Sequence, residues 1–196
     1  LASALVDSVV NLGYEDIPQE VVAITKRSIL DSLGVILAAS TEGAGCKEIV
    51  EIVKAAGGAA ESTILAFGGK VPCWMAGFAN GAMIHALDYD DIYYPALLHP
   101  SNATFASALA MAERRGKVSG REFITTLALA NELVCRLGLS IFTPPAVEHE
   151  KQNWQIRQTL GIFGATAAAG KILGFNREQM VSALGIAAQQ ASGTRE

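Results

Sequence analysis

Charged residues and cysteines are both scarce in this sequence. Charged residues make up 17% of the 196 positions against 51% hydrophobic ones, and this composition excludes the disordered class. With 15 Lys and Arg against 19 Asp and Glu, the net charge is -4, so the chain lacks the positive field that a phosphate backbone requires. We therefore expect a folded domain whose partner is not nucleic acid.

Three cysteines, Cys46, Cys73 and Cys135, are too few and too widely spaced for a disulfide framework or a zinc knuckle. We expect buried free thiols and a reducing cytoplasmic location. The sequence also lacks a run of roughly 20 uninterrupted apolar residues, which a membrane span requires, and it lacks the pattern of a secretory signal. We therefore expect no contact with a membrane.

Apolar residues recur at helical spacing along most of the chain, which predicts an all-α domain over residues 1–196. Ser62 to Phe67 forms a β-prone run that is too short to found a sheet, and residues 139–152 read as an exposed loop. Ser101, Ser119 and Asn176 are the expected helix caps, Ser119 in a capping box with Glu122. The predicted helices span about 1–12, 18–39, 45–56, 72–87, 101–115, 119–138, 157–173 and 177–191.

In the fourth predicted helix, Gly77, Gly81, His85 and Asp88 follow one another at steps of four, four and three, so they share one face. Each interior glycine costs about 1 kcal/mol relative to alanine in an exposed helix. We therefore expect this helix to be buried against another backbone and to deliver its last turn into a cavity.

Polar chemistry concentrates in the next segment, where two His, three Asp and three Tyr lie between His85 and His99. Three carboxylates so close together repel one another, which favours a retained proton on one of them in a dry site. Histidine exchanges a proton near neutral pH, so one of these aspartates together with His99 could remove a proton beside a carboxylate. The alternative is that the acids solvate a loop and cap a helix while the histidines fill hydrogen-bonding roles in the core.

The motifs of common cofactor classes are absent: the sequence has no phosphate-binding glycine loop, metalloprotease helix, serine-nucleophile elbow or paired CxxC. The segment His85-Ala-Leu-Asp88-Tyr-Asp-Asp, followed by Pro95-Ala-Leu-Leu-His99-Pro-Ser, resembles the signature of the MmgE/PrpD family. This family includes 2-methylcitrate dehydratase, which acts in propionate metabolism, cis-aconitate decarboxylase and iminodisuccinate epimerase. Further blocks agree in the same order, among them Asp31-Ser-Leu-Gly34, Ser119-Gly-Arg-Glu-Phe123, Phe163-Gly164 and Ala183-Leu-Gly-Ile-Ala187.

The resemblance implies a larger helical domain followed by a smaller α/β domain, with a site between them that uses neither metal nor organic cofactor. The chain then corresponds to the helical N-terminal domain alone, without the smaller domain and inactive by itself. Asp88 and His99 match positions that line the family's cavity, and His85, Tyr89 and Gln155 are the expected substrate-binding residues. A homodimer and a small carboxylate substrate are also implied.

Two positions depart from the family pattern. Ile92 stands where a threonine is frequent, and Gln155 stands where a histidine follows the tryptophan; glutamine cannot exchange a proton near pH 7. The leading hypothesis is a lyase of the 2-methylcitrate dehydratase type that acts on a di- or tricarboxylate. The alternatives are an epimerase, isomerase or decarboxylase of the same family, and a non-catalytic helical domain for binding or dimerisation.

Overall fold

The computed structural model describes residues 2–142 and 156–192. Within these ranges the chain forms eight α-helices, and two short 3-10 turns lie at Tyr14–Asp16 and Tyr94–Ala96. The fold class is therefore all-α, as the periodicity predicts. The helices are α1 (Ala2–Asn11), α2 (Gln19–Glu42), α3 (Cys46–Ala56), α4 (Cys73–His85), α5 (Ser101–Arg115), α6 (Gly120–Phe142), α7 (Ile156–Leu173) and α8 (Arg177–Gln190).

The predicted β-prone run forms one strand of a two-residue hairpin. Strand β1 (Ser62–Thr63) pairs antiparallel with β2 (Lys70–Val71). The buried side chain of Asn80 in α4 clamps β1 and its continuation, since its amide donates to Thr63 O and its carbonyl accepts from Leu65 N, both at 3.0 Å. The hairpin is thus a short element that is hydrogen-bonded to α4 and, within the described residues, does not extend into a larger sheet.

The core lies where α5, α6 and α7 pack on one another and α4 packs on α5. Small residues allow this close packing, and Gly164 in α7 lies against Val134 and Thr104. In the described part of the chain, one helical stretch, Gly120–Ile141, is long and apolar enough to cross a membrane, with a mean hydropathy of 1.3. Half of that stretch is buried, which is typical of a core helix.

Of the three predicted caps, one forms in full, one forms in part and the third does not form. Asn176 and Gln179 exchange hydrogen bonds of 2.9 Å at the start of α8, the full capping box. Ser119 accepts from Glu122 N at 3.1 Å, but the Glu122 carboxylate pairs with Arg115, so that box is only half formed. Ser101 does not cap α5, because it is the first residue of the helix and its own N–H is the group being capped.

The predicted glycine stripe of α4 does face a neighbouring helix, α5. Added Cβ atoms at Gly77 and Gly81 would nevertheless meet α5 atoms only at 3.5 Å or more, which is ordinary contact. The expectation of a buried helix is wrong for one side of α4, where Trp74 and Phe78 are 68% and 58% exposed. A groove of about 510 Å³ runs there between α4, α5 and α7.

Lys171 in α7 contacts the end of α1 instead of lying on a solvated helix face. Its amine is partly buried and donates to Val10 O at 3.0 Å and Leu12 O at 2.7 Å, which caps the end of α1. Burial lowers the pKa of this amine. An ion pair within α6 joins Arg136 Nε to Glu132 Oε1 at 2.5 Å.

The three cysteines are free thiols, as expected. Cys46 and Cys73 are buried, while Cys135 is partly buried. Burial raises the pKa of each thiol, and for Cys135 it raises the pKa to about 12 with help from Glu132 and Asp91. Since the thiolate is the reactive form, a raised pKa lowers the reactivity of these thiols near neutral pH.

Candidate active site

Two histidines and two aspartates meet where α4 ends and the chain turns back toward α5. His99 Nε2 lies 3.8 Å from Asp88 Oδ1, and His85 Nδ1 lies 3.9 Å from the same oxygen. The two imidazole rings meet edge to face with centroids 5.1 Å apart. The structure therefore brings together Asp88, His99 and His85, three of the residues that the sequence singles out.

The centre of this group is Asp90, which sequence reasoning did not select as a site residue. Its side chain is 1% exposed and lies between the two imidazoles. His85 Nδ1 lies 3.0 and 3.2 Å from the two Asp90 oxygens, and His99 Nδ1 lies 3.2 Å from Oδ1. A buried carboxylate needs such partners, because an ionised group without them is strongly destabilised.

Local backbone conformation produces this arrangement. The last helical residue of α4 is His85, and Asp88 then adopts φ 55°, a left-handed conformation that aspartate tolerates better than most residues. Leu97 also has positive φ, at 48°, and closes the turn in which Tyr93 and Leu98 exchange backbone hydrogen bonds. These two reversals return the chain so that His99 lies against the end of α4.

Asp91 anchors the segment to α5. Its carboxylate accepts from Ser101 N at 3.2 Å and from Ser101 Oγ at 2.6 Å, which places a negative charge at the positive end of the helix. Asn131 of α6 donates to Ser101 Oγ at 3.1 Å and accepts from Thr104 Oγ1 at 2.5 Å. The residues just after His99 are thereby tied to two core helices.

The pKa of Asp31, a residue of α2, is raised by its surroundings. Burial raises the pKa of Asp31, and the charges of Asp91 and Asp90 raise it further. Asp31 belongs to one of the blocks that resemble the family, but nothing in the sequence places it near residues 90 and 91. Asp31 is not one of the three carboxylates between His85 and His99, so the expectation of a retained proton on one of those three stays a prediction.

Asp88 and His99 differ strongly in exposure within the described part of the chain. His99 is only 7% exposed, but the side chain of Asp88 is 74% exposed. Tyr89 is 69% exposed and Ile92 is 45% exposed. The substrate-binding role of Tyr89 stays a prediction, and Gln155 lies outside the described residues.

The same cluster has the donor set of a cation site. One ligand atom from each of His85, Asp88, Asp90 and His99 lies within 4.8 Å of the others. Imidazole nitrogens and carboxylate oxygens are ligands that zinc and other divalent ions accept. These four residues could therefore hold a cation, and the expectation of a site without metal stays a prediction.

Comparison with known proteins identifies the family of the chain. The profile described as MmgE/PrpD N-terminal domain matches residues 3–196. A cis-aconitate decarboxylase of Aspergillus terreus is 28% identical over 190 residues, which is 93% of this chain and 37% of that protein. The cis-aconitate decarboxylase of Mus musculus is 31% identical over 85% of this chain and 34% of its own length.

The human cis-aconitate decarboxylase is 34% identical over 125 residues, 62% of this chain and 25% of that protein. The chain thus spans about a third of the length of these curated relatives. The profile match covers every residue of the histidine and aspartate cluster. The chain therefore belongs to the MmgE/PrpD family, as its N-terminal domain.

Proposed function

We propose that this chain carries one half of the active site of a lyase that acts on a small di- or tricarboxylate without a cofactor. The observation that supports the proposal is the approach of Asp88 Oδ1 to within 3.8 Å of His99 Nε2, above the buried carboxylate of Asp90. An acid and a base held this close can share the proton that such a reaction moves. The family membership supplies the reaction class.

Two lyase reactions suit such a pair. Dehydration removes a proton from the carbon beside a carboxylate and expels hydroxide, whereas decarboxylation releases carbon dioxide and returns a proton to a carbon. Both need one group that gives or takes a proton at carbon, and in this site Asp88 and His99 have that role. His85, Tyr89 and Gln155 are the proposed contacts to the substrate.

Two observations bear on the choice of substrate, the names of the relatives and the sequence motif. The relatives are named for decarboxylation of cis-aconitate, while the motif suggests 2-methylcitrate dehydratase. We favour a tricarboxylate of this size, because cis-aconitate and 2-methylcitrate both carry three carboxylates.

The test uses the complete gene product, incubated with 2-methylcitrate and with cis-aconitate, and follows the products by NMR. Turnover of either acid is expected, and Asp88→Asn and His99→Gln should each lower kcat by about 10²–10⁴-fold, the typical contribution of a positioned proton-transfer group. Glu51→Gln, in the exposed pair with Lys47 on α3, makes the same carboxylate-to-amide change as Asp88→Asn and should leave kcat unchanged. Unchanged turnover in the Asp88 variant would refute the assignment.

The products distinguish the alternatives. Loss of water marks a dehydratase and release of carbon dioxide marks a decarboxylase, while deuterium that enters recovered substrate without either loss marks an epimerase or isomerase. A complete, folded gene product that turns over none of these acids would favour a non-catalytic binding or dimerisation domain.

We also propose that the protein is a homodimer and that the groove beside Trp74 and Phe78 lies in the interface. Contiguous exposed apolar surface of this kind marks interaction sites in soluble proteins. Light scattering should give twice the chain mass for the unmodified protein and the single mass for Trp74→Glu. A dimer that survives Trp74→Glu and Phe78→Glu together would place the interface elsewhere.

The proposed location is the cytoplasm. Three free thiols and no disulfide in the described residues are typical of a reducing compartment. Cell fractionation with an antibody against the chain tests this, and recovery in a membrane or secreted fraction would contradict it.

A further inference from the structure

Asp90 lies at the centre of the cluster without being placed to reach substrate, since its side chain is 1% exposed. We infer that Asp90 is a positioning residue that holds the proton of neutral His99 on Nδ1 and leaves Nε2, which faces Asp88, as the basic atom. The inference rests on the proposed function only in treating His99 as the group that takes a proton.

The first step of the argument concerns the atoms that face each other. His99 Nδ1 lies 3.2 Å from Asp90 Oδ1, and among the described residues it is a buried polar atom without an aligned hydrogen-bond partner. If Nδ1 carried only its lone pair, a nitrogen with partial negative charge would lie 3.2 Å from the Asp90 oxygen in a buried place. A proton on Nδ1 converts that repulsion into attraction, even though the N–H points away from the line to the oxygen.

The second step concerns the other nitrogen of the ring. A neutral imidazole has one N–H and one lone pair, so a proton on Nδ1 leaves Nε2 free to accept. Nε2 is the nitrogen that lies 3.8 Å from Asp88 Oδ1. The tautomer that satisfies Asp90 is therefore the one that directs a base at the exposed side of the cluster.

The third step concerns the competition for Asp90. His85 Nδ1 contacts both Asp90 oxygens, at 3.0 and 3.2 Å, so the carboxylate serves two imidazoles at once. A carboxylate has about four lone-pair directions and can accept from both rings. The side-chain amide that Asp90→Asn introduces has a single acceptor oxygen and no negative charge, so it cannot replace the carboxylate for both rings.

Nitrogen NMR of histidine-labelled protein tests the inference directly. The chain has 3 histidines, so His85→Gln and a His149 variant assign the signals. The spectra are recorded at a pH where titration shows each ring to be neutral. The expected result is a predominant Nδ1–H tautomer for His99; a predominant Nε2–H tautomer would overturn the inference without any variant being needed.

Asp90→Asn should shift His99 toward the Nε2–H tautomer, whereas Asp88→Asn, the same change at the neighbouring carboxylate, should not. An unchanged tautomer in the Asp90 variant, with its helical circular dichroism retained, would also overturn the inference. In the complete gene product Asp90→Asn should lower kcat by about 10²–10⁴-fold with KM nearly unchanged, because a misplaced tautomer removes the base and spares binding. The tautomer is measured without turnover, so absence of lyase activity would refute the proposed function and leave this result standing.

Discussion

Replacement of Gly138 by alanine should disturb the turn that delivers His99. Gly138 lies in α6, and a Cβ added there would be 2.9 Å from Ala96 Cβ and closer still to Leu98 Cδ1. Carbon atoms normally approach to about 3.5–4.0 Å, so Ala96 must retreat by about 0.6 Å or more. Ala96 and Leu98 are 0% and 1% exposed, and buried side chains of this kind are closely packed.

The magnitude follows from two opposing terms. Overpacking costs about 1–3 kcal/mol, and alanine returns about 1 kcal/mol through its higher helix propensity. We expect a net loss of up to about 2 kcal/mol, which lowers Tm by up to about 8 °C in a chain of this size. Displacement of the residues before His99 should also lower kcat in the complete gene product by up to about 10²-fold.

Thermal and urea denaturation, followed by circular dichroism, measure the first effect. The matched control is Gly185→Ala in α8, where an added Cβ meets nothing within 4 Å, so the substitution should stabilise by up to about 1 kcal/mol. If Gly138→Ala is as stable as the control and equally active, the turn does not depend on the space beside α6.

The remaining predictions concern two side chains and the cation question. The hydrogen bond that Cys73 N donates to Glu61, with the charge of Arg114, lowers the pKa of Glu61. Glu61 therefore stabilises the fold above about pH 4.5 and loses this effect as the pH falls through its folded pKa. Glu61→Gln should therefore be less stable than the unmodified chain at pH 7, and the urea midpoints of the two should converge as the pH falls through the folded pKa of Glu61. Lys171→Met should cost about 1–3 kcal/mol in urea denaturation, because Val10 O and Leu12 O lose their donor; a neutral result would mean that water replaces the amine. Dialysis against a chelator should leave turnover unchanged, and a loss that a divalent cation restores would assign a cation to His85, Asp88, Asp90 and His99.

Local sequence patterns were sufficient to predict the positions of the helices and the proximity of three site residues. Apolar spacing predicts every helix of the described residues to within a few positions at each end, since one face of each helix packs on its neighbours. His85, Asp88 and His99 lie within 15 positions, so a single reversal of the chain can bring them together. That is why their proximity could be predicted from the sequence alone.

Features set by contacts between distant segments could not be predicted. The sequence offers three similar aspartates, and only tertiary packing determines that Asp90 is buried while Asp88 is open. The proximity of Asp31 to residues 90 and 91 and the contact of Lys171 with the end of α1 join segments 59 or more positions apart. A charged residue in a helix is usually solvated, so the sequence alone favoured the wrong environment for Lys171.

The exposure of Asp88 sets a condition on any catalysis at this site. Proton transfer beside a carboxylate is effective when water is kept from the reacting groups, because a dry site strengthens every electrostatic interaction in it. His99 and Asp90 already meet this condition within the described residues, but Asp88 does not. If Asp88 moves the proton, its carboxylate must be shielded from water by substrate, by chain outside the described residues or by a second subunit. NMR can follow the titration of the Asp88 carboxylate in this chain and in the substrate-bound complete protein, and a difference between the two would measure this shielding. An identical titration in both would argue that the proton moves through His99 alone.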